Sequence, residues 1–119
     1  MKSLIWLFGS LASASLAADI TVVLPGNADV TRKSVQYQCD RNGTKMGLPA
    51  GPFKVEYING GGNSLVVVPI SGKPLLFVSV MSGSGARYAA QQYTWWEAHN
   101  TVAASSMQGN VQSSCHPAQ

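Results

Sequence analysis

Cys39 and Cys115 constrain this chain more than any other pair of residues, because they bracket nearly all of its patterned sequence. What precedes them has the form of an export leader. Met1-Lys2-Ser3 opens with a positive charge, Leu4 to Leu16 is apolar and small, and Ser15-Leu16-Ala17 offers small residues at the positions a signal peptidase reads. The apolar part is too short to span a bilayer as a lasting anchor. Residues 1–17 are therefore expected to be a signal peptide and the protein to be periplasmic. In an oxidising compartment an even pair of cysteines predicts a disulfide. A Cys39–Cys115 bond closes almost the whole domain, a constraint worth roughly 4 kcal/mol in the loop-entropy model. No Cys stands at the cleavage point, so no membrane anchor is expected, and no later segment reads as transmembrane.

Without the leader roughly 100 residues remain, enough for one modest core. Residues 18–33 read as an N-terminal arm, with Pro25-Gly26-Asn27 and no sustained period, and residues 34–119 as the domain. Its hydrophobic period is 2. Val35-Gln36-Tyr37-Gln38-Cys39 and Phe53-Lys54-Val55-Glu56-Tyr57 alternate as half-buried strands do. Asp40 to Gly51 is rich in Gly and Pro and reads as turn or loop. Gly60-Gly61-Gly62 leads to a strand at Leu65-Val66-Val67-Val68, and Ser71-Gly72-Lys73-Pro74 is the next turn. Leu75 to Met81 predicts a central strand, broken by Ser82-Gly83-Ser84-Gly85. Extended segments follow at Ala86-Arg87-Tyr88, Tyr93-Thr94-Trp95-Trp96 and Thr101-Val102-Ala103-Ala104, with a turn at His99-Asn100 and a last strand through Val111 to Cys115. No stretch after the leader has a period of 3.6. The expected fold class is all-β, an antiparallel barrel or sandwich whose first and last strands the disulfide ties together. Closure into a barrel also removes exposed edges.

Composition excludes more than it offers. Only 11% of the chain is charged, and its basic residues are scattered, so no basic stripe suited to nucleic acid exists. The cysteines and the two histidines, His99 and His116, lack the clustering of metal ligands, and no cofactor motif is complete. Gly83-Ser84-Gly85 begins like a dinucleotide loop, but Tyr88 stands where the third Gly belongs; the nucleophile-elbow pattern fails because position 82 is Ser. Glu56 faces away from Phe53, Val55 and Tyr57 and is expected to be solvated. Glu97 has no evident partner. An enzyme is not expected.

The informative stretch is Ser82 to Ala104. A glycine-flanked Ser84 follows a strong strand, and Arg87, Tyr88, Tyr93, Trp95 and Trp96 come within a few residues. Arg, Tyr and Trp dominate protein interfaces, yet aromatics also fill cores. Alternation puts Tyr93 and Trp95 on one face and Trp96 on the other, and leaves open which Trp is core.

Taken in order, Tyr37-Gln38-Cys39, Ser84-Gly85-Ala86-Arg87-Tyr88, Tyr93, Trp95-Trp96 and the final Cys115 resemble the MliC/PliC family of bacterial c-type lysozyme inhibitors. The resemblance spans Tyr37 to Cys115 and is nearest the periplasmic branch of Gram-negative bacteria. It implies a small flattened antiparallel β-barrel closed by one disulfide, with c-type lysozyme as partner and a Ser-bearing loop that enters the lysozyme cleft. By that resemblance Ser84 is the plug, Gly83 and Gly85 let the backbone approach closely, Arg87 joins the contact, and Tyr88 braces the loop or touches the partner. The family commonly carries a Lys then a Gly shortly after the Trp pair, where this chain has Ala98 and His99. These two are assigned to the periphery of the interface. Homodimer formation stays open, and the alternative function is a binding module for an adhesin or envelope partner on the same scaffold.

Overall fold

The computed structural model describes residues 20–24 and 29–118. The expected leader and Pro25-Gly26-Asn27 lie outside them. Eight strands follow in chain order: β1 Thr31–Cys39, β2 Phe53–Gly60, β3 Asn63–Ile70, β4 Lys73–Val80, β5 Ala86–Ala90, β6 Tyr93–Ala98, β7 Thr101–Ser106 and β8 Val111–Pro117. Each pairs antiparallel with the next, and β1 pairs with β8, so the sheet is a closed up-and-down barrel. The all-β fold expected from the period-2 pattern is observed, and of its two forms, barrel or sandwich, it is the barrel that the family resemblance implies.

Several details differ from the sequence reading. β1 begins at Thr31, inside the stretch read as arm, because Thr31, Arg32 and Lys33 pair with Asn59, Ile58 and Tyr57 of the long strand β2. The arm is also tied to the barrel, since Arg32 donates to the carbonyl of Ile20 at 3.3 Å. Glu56 does face outward, but it is not simply solvated: it forms an ion pair with Arg32 at 2.8 Å, its side chain only 15% exposed. β4 is no more central than any other strand, because a closed barrel has no edge to contrast with a centre. It also stops at Val80 and leaves Met81 almost wholly exposed. The Asp40–Gly51 loop contains a 3-10 helix, Arg41–Met46, capped by Asp40, whose carboxylate accepts from the Asn42 amide at 3.1 Å.

Alternation decides what lies inside. Val35, Tyr37, Phe53, Val55, Tyr57, Val66, Val68, Phe77, Tyr88, Trp95, Val102 and Ala104 fill the barrel. Trp95, 1% exposed, is its centrepiece. Its ring meets Tyr37 edge-on at 5.3 Å and Phe53 at 6.4 Å. Its indole N–H must find an acceptor once buried, and donates to the Tyr57 hydroxyl at 3.1 Å, which lies 2.8 Å from that of Tyr37. Burial pushes the phenols of Tyr37, Tyr57 and Tyr88 above their ordinary range, and the negative charge of Glu97 acts in the same direction. Neutral phenols therefore line the cavity at the end of the barrel where β2 meets β3 and β6 meets β7.

The Cys39–Cys115 disulfide joins residues directly opposite each other on β1 and β8. This seam has three register pairs against seven between β1 and β2, as few as the β4–β5 ladder has, so the covalent bond reinforces a short pairing. Asp40, next in sequence, reinforces the seam. Its carboxylate accepts from the Ser113 hydroxyl at 2.7 Å and the Ser114 amide at 3.1 Å, bonds that favour the charged form and hold its pKa below the usual carboxylate range.

Candidate functional site

β4 and β5 are joined by residues 81–85, the one β connection at this end of the barrel that is not a tight turn. The β2–β3 turn and the His99-Asn100 turn flank it. His99 and Asn100 both have positive φ, as a two-residue hairpin demands, and the Thr101 hydroxyl closes the turn on the Ala98 carbonyl at 2.9 Å.

The loop is held from below. Gly85 has φ +66° and lies so close to β6 that a Cβ would fall 2.4 Å from the Glu97 carbonyl oxygen and 2.9 Å from the Ala98 Cβ. Both the conformation and the approach require glycine. Gly83 is different: a Cβ there would meet nothing within 4 Å. The Ser84 carbonyl accepts from the Trp96 indole N–H at 2.9 Å and from the Ser82 hydroxyl. Ser84 itself is exposed, as are Gly83 and Gly85. The outcome is a hydroxyl, able both to donate and to accept, carried on a loop whose base is fixed to a neighbouring strand.

The residues picked out by sequence fall into two groups. Ser84, Gly85 and Ala98 come together, with Ala98 against the base of the loop. His99 is exposed one residue further along the same turn. Arg87 points outward, pairs in register with Trp96, and sets its guanidinium 5.3 Å from the ring centroid. Tyr88 points inward and is 6% exposed, 6.0 Å from Tyr57. Its position supports the loop from the core and gives it little surface to offer a partner. Trp96, 36% exposed, is the residue the sequence leaves unassigned. Alternation places one Trp outside without saying which.

Beside the loop, the barrel mouth holds a cavity of about 240 Å³ lined by Lys33, Tyr37, Tyr57, Tyr88, Glu97 and Asn100 among others. A larger groove of about 410 Å³ is walled by Pro49, Pro52, Pro69 and Pro74 and shares no residue with the Ser84 loop. Among the described residues no three of His, Cys, Asp and Glu gather as metal ligands.

Comparison with known proteins places the barrel in a family. Residues 37–112 match the family described as membrane-bound lysozyme-inhibitor of c-type lysozyme. A relative of that name from Pseudomonas aeruginosa is 49% identical over 76 residues, covering 63% of this chain and 54% of the relative. One from Cupriavidus necator is 44% identical over 64 residues, covering 54% and 45%. The chain thus spans about half the length of these relatives. The crystal structure of Pseudomonas aeruginosa MliC in complex with hen egg white lysozyme superposes with a TM-score of 0.65 at 36% identity, over 87% of this chain and all of that one. On sequence and fold together, the chain belongs to the MliC family of c-type lysozyme inhibitors.

Proposed function

We propose that this protein inhibits c-type lysozyme by binding, without catalysing a reaction, and that the Ser84 loop enters the lysozyme cleft. The observation that carries the reading is the exposed Ser84 hydroxyl on a loop whose backbone is anchored to β6 by the Trp96–Ser84 hydrogen bond. The relatives' name and the lysozyme complex of the Pseudomonas aeruginosa protein support the choice of partner.

The target's chemistry explains why a hydroxyl suffices. Lysozyme works with one protonated and one ionised carboxyl group across a narrow cleft. Ser84 donates to the ionised group and accepts from the protonated one, fills substrate space, and presents no glycosidic bond. Gly83, with open space around it, keeps the tip slender. Arg87 flanks the entry, and Ala98 and His99 lie at its periphery. Both partners are basic, so long-range attraction contributes little and local fit sets the affinity. The inhibitor acts in the periplasm, where its leader would deliver it; a mature mass that still includes Met1 would contradict that.

Calorimetric titration with hen lysozyme tests the plug. Ser84→Ala removes a hydrogen bond to a charged group, worth about 1.5–3 kcal/mol, and weakens binding roughly tenfold to a hundredfold. Ser84→Trp weakens it further, because the ring does not fit beside the carboxyl groups. If both variants melt and bind like the wild type, the plug is wrong. The second reading, an envelope-binding module, draws on Ala98 standing where the family commonly has Lys. Failure of the wild type to bind any c-type lysozyme would favour it.

A further inference from the structure

We infer that Trp96 is a positioning residue for the inhibitory loop, acting through its indole N–H on the Ser84 carbonyl, and that Arg87 acts on the loop through Trp96. The inference rests on the proposed insertion of Ser84 and goes beyond it, since it explains why an exposed loop presents its hydroxyl in one direction.

The loop has few other restraints. Neither Gly83 nor Gly85 is buried, and Ser84 is exposed. Its Cβ and hydroxyl are steered by the peptide planes on either side. The plane that joins Ser84 to Gly85 is not free to swing, because its carbonyl is caught by two donors, the Ser82 hydroxyl and the Trp96 indole N–H. Ser82 belongs to the loop and moves with it. Trp96 does not: it lies in β6, paired with Arg87 on one side and Ala103 on the other. Of the two hydrogen bonds to this carbonyl it is therefore the one that ties the direction of Ser84 to the rigid sheet, above the close packing of Gly85 on β6.

Trp96 is itself set in place. Its neighbour Trp95 is locked in the core, which fixes Trp96 on the outer face. The Arg87 guanidinium, 5.3 Å from its ring centroid, restricts the ring's pitch. An outward Trp has no need of this acceptor, since water would satisfy its N–H. Directing the bond to the Ser84 carbonyl fixes the loop before the partner arrives, which lowers the ordering entropy of binding. Phe, Tyr and Leu would cover the same patch of sheet without a donor at this point.

The test separates the N–H from the ring. Replacing Trp96 with benzothienylalanine, an isostere with sulfur in place of N–H, keeps the ring and the Arg87 stack. Trp96→Phe is the encoded companion. Both are expected to bind hen lysozyme about threefold to tenfold more weakly than wild type, with the loss in the entropy of binding and melting temperatures within a few degrees. In a Ser84→Ala background the loss is expected to fall below twofold, because the hydroxyl to be aimed is gone. Amide relaxation of Gly83 to Gly85 in the free protein should show faster, wider motion in both variants. That last readout needs no lysozyme, so it stands if the lysozyme reading fails. An isostere that binds like wild type with an equally ordered loop overturns the inference. So does a loss that persists in full in the Ser84→Ala background, which would mean Trp96 touches the partner directly.

Discussion

Gly85→Ala isolates the loop geometry from the chemistry of Ser84. The added methyl would sit 2.4 Å from the Glu97 carbonyl oxygen and 2.9 Å from the Ala98 Cβ, inside the 3.0 Å that real Cβ contacts respect. Neither neighbour is a flexible tip: one is backbone of β6 and the other a Cβ fixed to it. The loop must lift by several tenths of an ångström. Alanine at φ +66° adds strain of about 1 kcal/mol, and the total cost is roughly 1–3 kcal/mol. Part of it is relieved by displacing Ser84 and stretching its bond to Trp96. Calorimetry against hen lysozyme should show binding weakened at least about tenfold, with a modest fall in melting temperature. Gly83→Ala is the control: it meets nothing within 4 Å and should leave the melt unchanged. If Gly85→Ala binds and melts like wild type, the loop is not held against β6 as described.

Replacing Cys39 and Cys115 together with Ser should cost about 2–5 kcal/mol in urea unfolding, with faster amide exchange along the short β1–β8 seam than along β1–β2; equal exchange at both would refute the seam's dependence on the bond. Asp40→Ala removes the 3-10 cap and two bonds to β8, and should cost roughly 0.5–2 kcal/mol. Because the folded-state pKa of Asp40 lies below its unfolded value, its contribution is present in full above the ordinary carboxylate range and is lost as pH falls through the lowered one; the wild-type advantage over Asp40→Ala should shrink only on acidification. Ala98→Lys should tighten lysozyme binding severalfold, since Ala98 lies at the base of the loop and a lysine there can reach toward the cleft's carboxyl groups; unchanged affinity would place Ala98 outside the interface.

The antiparallel all-β fold is legible in the sequence because alternation, glycine-rich turns and a bracketing cysteine pair all point the same way; the choice of barrel over sandwich comes from the family resemblance. Val35, Tyr37 and Cys39, and likewise Phe53, Val55 and Tyr57, face inward as their spacing requires. What alternation lacks is an origin. It separates Trp95 from Trp96 but does not say which faces in, a choice made by the register of β6 between β5 and β7. It also misses contacts between distant segments. Glu56 reads as solvated because Arg32, its partner, sits in a stretch without period. Asp40 reads as part of a loop because its partners, Ser113 and Ser114, are on the last strand. At the site, Ser84 stands out by its glycines and by the family motif. The difference between Gly83 and Gly85 does not, since it depends on how closely β6 passes beneath the loop. Nor does the grip of Trp96 on Ser84, which needs the hairpin built before it can be seen.

Inhibition itself is read from the lytic activity of hen lysozyme on a suspended cell-wall substrate, titrated with purified protein lacking residues 1–17. Activity should fall in proportion to added protein and be abolished near equimolar amounts when the enzyme is well above the dissociation constant, and Ser84→Trp should leave it largely intact. Full lytic activity in a large molar excess of folded wild-type protein would contradict inhibition.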